Sequence, residues 1–320
     1  MKKILITGGA GFIASSLAEK LAEDPDNNLV IVDDLSTGEL EKIPKSKNDN
    51  IRFIKADVNV FEDVSNIFFS FLPDYVFHYA ALVGVKRTLA NPVKVLNDVS
   101  GIKNILNLSK STGVKRVYYS SSSEVYGEPV ELPQHEETTP LNSRLPYAIV
   151  KNIGEAYLKS YKQEFGLDYT IFRFFNTYGP KQSKDFVISK FINRALKNAD
   201  IEVFGDGKQT RTFCHVDDNV EATINSFNKN MFVNDVVNIG SDIEMTILDL
   251  AKTIIKLTGS GSKIVHLPPL PEGDMTRRQP DATKMKKLLQ RSFLPIEDGL
   301  KKILSNTSFI LRDSISAEKD

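Results

Sequence analysis

Cysteine is nearly missing from this chain of 320 residues: Cys214 is the single one, so no internal disulfide can form. That suits a reducing cytosol. Cys214 lies in TFCHVDD, which reads as a strand end, and a buried inert thiol is expected there. Histidine is scarce as well. His78, His135, His215 and His266 are scattered, and with one cysteine they offer no metal-ligand spacing, so no metal site is expected. Net charge is lacking too, since 41 Lys plus Arg balance 41 Asp plus Glu. No global basic field therefore exists to hold nucleic acid by counterion release. Nor does any segment approach the roughly 18 unbroken apolar residues of a membrane span. The opening MKKILITGGAGFIASSLA has the lysines and apolar residues of a signal peptide, but TGGAG interrupts it. A soluble cytoplasmic protein is expected, with no nucleic-acid or membrane partner.

What is present is regular. Hydrophobic residues make up 41% of the chain, enough for a large core. Short apolar runs alternate with helical stretches through the first half. KILIT (3–7), LVIVDD (29–34), IRFIKADV (51–58), YVFHYAA (75–81) and VKRVYYSSS (114–122) read as strands. FIASSLAEKLAED (12–24), FEDVSNIFFSFL (61–72) and VLNDVSGIKNILNLSKSTG (95–113) read as helices, the last ending at a Gly113 C-cap. Continuous apolar strands fit a parallel sheet covered on both faces. The alternation argues a doubly wound α/β fold of Rossmann type. A helix over 147–166 and a strand over 169–176 follow, VVNIG (236–240) is a candidate returning strand, and Thr246 N-caps a helix over 246–259. Prolines place 267–280 in a loop, and the polar tail beyond about Asn306 is expected to fray. The expected division is a dinucleotide-binding domain over 1–176, a mainly substrate-binding lobe over 177–306, and a tail over 307–320.

Three local patterns suggest chemistry. TGGAGFIAS follows a strand and opens a helix, with Gly8 and Gly11 where a phosphate-binding turn wants glycines and Ala14 at the third position. Asp33 ends the second strand about 20 residues on, where a carboxylate accepts ribose hydroxyls and repels a 2′-phosphate. With Asp34 beside it and no arginine nearby, NAD is favoured over NADP. Tyr147 and Lys151, four apart, share one helix face. A neighbouring ammonium is expected to lower the phenol's pKa, so that Tyr147 can take a proton from a substrate hydroxyl while hydride leaves its carbon for nicotinamide. The serine run of YSSSSEVYG (119–127) emerges from the fifth strand's C-terminal end, and reads as an active-site rim rather than a linker.

Together TGGAGFIAS, HYAA, SSSSEVYG, YAIVK and FRFFNTYGP resemble the extended short-chain dehydrogenase/reductases that act on nucleotide sugars, from Met1 to about Leu304. The resemblance implies catalytic roles for Ser122, Tyr147 and Lys151, with Lys151 also holding the nicotinamide ribose. It implies cofactor contacts from Gly8, Gly11, Phe12, Ile13, Asp33, Ser36, Asp57, Val58, Ala80 and Ala81. Asn176 would touch the substrate diphosphate and Arg211 the nucleotide. A homodimer through helices near 95–112 and 147–165 is also implied.

Such enzymes oxidise C4 of the sugar and then differ. Ser123 and Glu124 form the pair found in UDP-glucuronate decarboxylases and shared by some UDP-N-acetylglucosamine dehydratases, where dehydratases typically carry Asp-Glu and 4-epimerases rarely a glutamate. Glu124 or Ser123 would position water or protonate C5. LPEGDMTRRQPDATKMKKLL (270–289) is similar to the decarboxylases' R-x-P-D segment and places Arg278 near the sugar or diphosphate. Against this, the loop LVGVKRTLANP (82–92) is longer than theirs and more like that of epimerases. Lys86 and Arg87 there can meet a substrate carboxylate or simply be solvated. UDP-glucuronate decarboxylation is the leading expectation; a UDP-hexose or UDP-hexuronate 4-epimerase, a 4,6-dehydratase and a non-catalytic NAD sensor are the alternatives.

Overall fold

The computed structural model describes residues 1–269 and 278–306, the side chains of Val85 and Lys86 excepted. The proline-rich stretch 270–277 of the expected loop, the expected frayed tail after Asn306 and the substrate contact expected of Lys86 lie outside the described residues.

The first half runs β1 (Lys2–Thr7), α1 (Phe12–Leu21), β2 (Asn27–Asp33), β3 (Ile51–Lys55), α2 (Phe61–Phe71), β4 (Tyr75–His78), α3 (Val85–Ala90), α4 (Pro92–Leu96), α5 (Asp98–Thr112) and β5 (Arg116–Ser122). The long helix expected over 95–113 is thus two helices, α4 and α5, divided at Asn97. Gly113 does end α5, with a left-handed φ of 77°. The segment 82–92, expected as a loop, contains α3. The chain continues with α6 (Pro146–Phe165), β6 (Asp168–Phe174), β7 (Thr177–Tyr178), α7 (Val187–Leu196), β8 (Ile201–Phe204), β9 (Thr210–Thr212) and β10 (Cys214–His215). It closes with α8 (Val216–Asn228), β11 (Asp235–Ile239), β12 (Glu244–Thr246), α9 (Ile247–Thr258), β13 (Ile264–Leu267), α10 (Thr283–Leu289) and α11 (Ile296–Ser305). Leu267, expected in the loop, ends β13 instead. Thr246 caps α9 as expected, its hydroxyl accepting the Asp249 N–H at 3.0 Å.

Seven strands form one parallel sheet in the order β11-β6-β5-β4-β1-β2-β3. Side-chain alternation sorts the apolar residues of each strand onto two faces. Ile4 and Ile6 of β1 pack with Leu29, Ile31, Phe77, Tyr118 and Phe172 against α1, α8 and α10. Leu5, between them, joins Val30, Val32, Val76 and Val117 under α2, α5 and α6. Both faces are therefore dry, which is why the strands read as unbroken apolar runs. The strand expected over 236–240 is β11, the sheet edge beside β6.

A separate apolar cluster ties α7, α9 and α11 to β8 through Ile188, Phe191, Ile201, Leu250, Ile254 and Leu300. The main chain winds outward from β1 to β3, crosses back to β4 and then runs the other way. The β1–β4 boundary is thus the topological switch point, where ligands of such sheets bind.

Candidate active site

Two groups of residues meet at the C-terminal ends of the strands. The first surrounds the turn between β1 and α1. Gly8 has φ +70°, and a Cβ on it would lie 2.6 Å from the backbone nitrogen of Ala80, so conformation and crowding both require glycine. The Gly11 N–H closes onto Gly8 O at 2.9 Å. Gly11 is also the N-cap of α1 and brings no side chain to cap it. The first amides of α1, on Phe12 and Ile13, thus end the helix without a side-chain acceptor, with the positive end of its dipole beside them. Ala14 is buried at the next turn.

Asp33 ends β2 in a buried position. Its carboxylate accepts the Ala10 N–H at 3.0 Å and the Leu35 N–H at 2.8 Å. Burial nevertheless raises its pKa, only partly opposed by those bonds. Its remaining lone pairs can accept hydroxyl groups. Ser36 is exposed, its N–H on Asp34 Oδ1 at 2.8 Å. Asp57 is half-buried and accepts the Asn59 N–H at 2.8 Å, next to buried Val58. Ala80 and Ala81 are half-buried just past β4. A glycine turn at a helix N-terminus with a fixed carboxylate at the next strand end suits a dinucleotide's pyrophosphate and ribose.

The second group lies at the end of β5. Ser120, Ser121, Ser122 and Ser123 are all buried. Ser122 is close enough to Tyr147 to oppose the rise of its pKa, and its Oγ accepts the Glu124 N–H at 3.2 Å, capping a 3-10 turn over Ser123–Tyr126. Ser120 accepts from Lys151 Nζ at 3.3 Å. Ser121 serves the interior, donating to Glu155 Oε1 at 2.5 Å. Lys151 Nζ sits 5.8 Å from the Tyr147 ring centroid and 5.1 Å from that of Tyr119. Ser122, Tyr147 and Lys151 are therefore brought together.

Their electrostatics differ from the sequence-based expectation. The phenol of Tyr147 lies well above its ordinary pKa, not below it. Burial dominates, Glu124's charge adds, and Ser122 and the charge of Arg278 only oppose. Lys151 is pushed down to about 8 by burial, with Asp98's charge opposing. In this enclosed place desolvation outweighs the ammonium that was expected to acidify the phenol.

Arg278 meets the Ser123–Glu124 pair directly. Its Nη2 lies 2.7 Å from Glu124 Oε1 and its Nη1 3.5 Å from Ser123 Oγ. Two sequence signals more than 150 residues apart thus converge on one mostly buried ion pair, with side chains 11% and 19% exposed. Asn176 has φ 31° and donates to Thr212 O at 3.0 Å. Arg211, the residue before Thr212 in β9, donates to Thr210 O at 2.8 Å. Cys214 is buried and its thiol is pushed far up, as an inert thiol would be.

Some site residues were missed in the sequence. Thr7 ends β1. Its Oγ1 accepts the Tyr79 and Ala80 N–H groups, each at 3.2 Å, and shares a hydrogen bond of 2.8 Å with His78 Nδ1. His78 is held neutral, pushed down to about 3 by burial and by Lys151's charge. Asp98 accepts the Leu82 N–H at 2.8 Å and acts electrostatically on Lys151. Gly38 packs against Asp33, where a Cβ would lie 2.5 Å from Oδ1. The available signals were weak: a polar residue closing an apolar strand, an acid at a helix start, and a glycine five residues past Asp33. Among the described residues no His, Cys, Asp and Glu group could hold a metal ion, and no helix is long and apolar enough to cross a membrane.

Comparison with known proteins bears on this site. The model of the NAD dependent epimerase/dehydratase family matches residues 4–240. UDP-N-acetyl-alpha-D-glucosaminuronate decarboxylase of Bacillus cytotoxicus is 38% identical, over 95% of this chain and 97% of its own length. UDP-glucuronic acid decarboxylase 1 of Xenopus tropicalis is 35% identical, over 95% of this chain and 71% of its own. The crystal structure of a UDP-glucose 4-epimerase from Thermotoga maritima, with UDP-glucose, superposes with a TM-score of 0.88 at 33% identity, covering 98% of this chain and 99% of that one.

Proposed function

Because this chain belongs to the NAD-dependent epimerase/dehydratase family of nucleotide-sugar enzymes, we propose that it decarboxylates UDP-glucuronate to UDP-xylose through a transient 4-ketone. NAD is its cofactor, and when bound supplies the nicotinamide carbon that takes up and returns the hydride of C4. Gly8, Gly11, Phe12 and Ile13 hold the pyrophosphate. Asp33 and Ser36 hold the adenosine ribose, Asp57 and Val58 the adenine, and Ala80 and Ala81 flank the nicotinamide side. Tyr147 Oη takes the proton of O4 as C4 is oxidised, while Ser122 keeps O4 aligned and Lys151 holds the nicotinamide ribose. A pKa held this high makes the phenol a weak acid and its phenolate a strong base, which suits taking the O4 proton more than returning it.

One observation carries the choice of decarboxylation: the Arg278–Glu124 ion pair beside Ser123. A guanidinium grips a hexuronate carboxylate bidentately. Once C4 is a ketone the sugar is a β-keto acid. The C5–C6 bond breaks, CO2 leaves, and the electron pair moves onto the C4 oxygen as an enolate. Glu124 or Ser123 then delivers a proton to C5, directly or through water. A 4,6-dehydratase would want a second acid where Ser123 stands. Asn176 and Arg211 take the diphosphate and nucleotide, with residues 177–306 forming most of the substrate lobe. Two copies associate through α5 and α6, where Ile149 and Phe165 are 39% and 49% exposed.

Two further substrates have specific support. The Bacillus relative is named for the 2-acetamido counterpart of UDP-glucuronate. The long segment 82–92 and the Thermotoga structure favour 4-epimerisation. NMR of products from UDP-glucuronate, UDP-N-acetylglucosaminuronate and UDP-glucose separates them. CO2 with a pentose signal is expected; UDP-galacturonate or UDP-galactose as the sole product would overturn decarboxylation. No turnover of any nucleotide sugar would favour an NAD sensor.

A further inference from the structure

Glu124 and Arg278 are distant in sequence, and neither sits on a regular strand or α-helix. Something must fix their separation, and a buried polar chain does so. Glu124 belongs to the 3-10 turn Ser123–Tyr126, and the Tyr126 ring at the end of that turn is buried at 1% exposure. Its hydroxyl donates to Asn238 Oδ1 at 2.7 Å and accepts from Arg173 Nη1 at 2.8 Å. Arg173 is itself locked by Glu155 through two bonds, Nε to Oε1 at 2.9 Å and Nη2 to Oε2 at 2.6 Å.

The opposite side of Asn238 holds Arg278. Asn238 Nδ2 donates to Gln134 O at 2.9 Å. The Gln134 N–H donates to Gln279 O at 2.7 Å and the Asp281 N–H donates to Gln134 O at 2.8 Å. Those bonds pin the strap immediately after Arg278. The backbone N–H of Asn238 is anchored in turn on Glu136 Oε1 at 2.8 Å.

We infer that Tyr126 and Asn238 are positioning residues that set the spacing of Glu124 and Arg278, and so act on the carbon-loss step rather than on C4 oxidation. The inference rests on the decarboxylase assignment. Asn238 has one side-chain oxygen and one amide nitrogen, and it spends one on each half of the pair. None of its bonds reaches Ser122, Tyr147 or Lys151. Loosening it should displace the Glu124 turn relative to Arg278 while sparing the hydroxyl and ammonium that work at O4. A shift of this kind remote from the chemistry can cost about 100-fold in a step that depends on it.

The test is Tyr126→Phe, which removes one oxygen atom and keeps the ring in its cavity, with Asn238→Ser as a second variant. Wild type and variants are mixed with UDP-glucuronate. Reduced cofactor is followed by its absorbance, CO2 release is followed in parallel, and thermal melting is recorded. The expected result is a fall in CO2 release of about 10- to 100-fold, with the rate of cofactor reduction unchanged, so that reduced cofactor and 4-ketone accumulate on a folded enzyme. Equal losses in both steps, or no loss in either variant, would overturn the inference. Wild type that reduces its cofactor with UDP-glucuronate but releases no CO2 would instead overturn the decarboxylase assignment.

Discussion

Lys151 is a charge that the fold holds at a loss, and its removal should make the protein more stable. Burial takes the ammonium from an ordinary 10.5 down to about 8, and Asp98 recovers only part of that. At about 1.4 kcal/mol per tenfold, keeping the charge inside costs the native state about 3 kcal/mol. A lysine whose folded pKa is depressed binds fewer protons folded than unfolded between those two values, so stability rises with pH there. The penalty is complete below about pH 8 and vanishes as pH climbs towards 10.5. Lys151→Met keeps the stem and drops the charge, losing the 3.3 Å bond to Ser120. With an unfolding entropy of about 2.1 cal/mol/K per residue over 320 residues, about 3 kcal/mol corresponds to a Tm rise of about 5 °C. The assay is calorimetry of wild type and variant, stripped of NAD, between pH 6.5 and 10. The variant should be ahead at low pH, the gap should close as pH rises, and turnover should be lost throughout. A variant that melts lower than wild type at pH 7, or a gap independent of pH, would refute the reasoning.

Four other outcomes are expected. Tyr147→Phe should abolish turnover yet bind NAD with unchanged affinity by titration calorimetry, because only the proton-carrying oxygen is removed. Glu155→Gln strands the buried Arg173 guanidinium, and should lower Tm by about 4–7 °C given about 3–5 kcal/mol for breaking a buried pair from one side. The double change Glu155→Leu with Arg173→Met should recover part of that loss. Arg278→Leu should raise KM for UDP-glucuronate at least tenfold while leaving NAD affinity untouched, since the guanidinium faces Glu124 rather than the glycine turn.

The sheet was legible because its strands are dry on both sides, and a dry strand betrays itself by composition. Gly113 and Thr246 marked helix ends through local chemistry that no tertiary contact overrode. The break at Asn97 left no such mark. The Ser, Tyr and Lys trio was readable from spacing, but its electrostatics were not. Proximity of a cation is visible in sequence, whereas the depth at which Lys151 is enclosed and the desolvation that raises the Tyr147 phenol are properties of the assembled fold. Ser121 could not be told from its neighbours until Glu155 was seen beneath it. The meeting of Glu124 and Arg278 is half visible in the sequence: a motif marks each residue, but only folding puts them within an ion pair.

Thr7 has a larger consequence than its size suggests. One hydroxyl staples the end of β1 to the backbone beyond β4 and to the His78 ring. Those hydrogen bonds fix the end of β1 against the backbone beyond β4, so the wall a dinucleotide would meet at the switch point is set by the chain itself. Little conformational entropy is left to surrender on association. If the proposed reaction is right, NAD should stay bound from one turnover to the next, because the hydride removed from C4 must return to the same sugar.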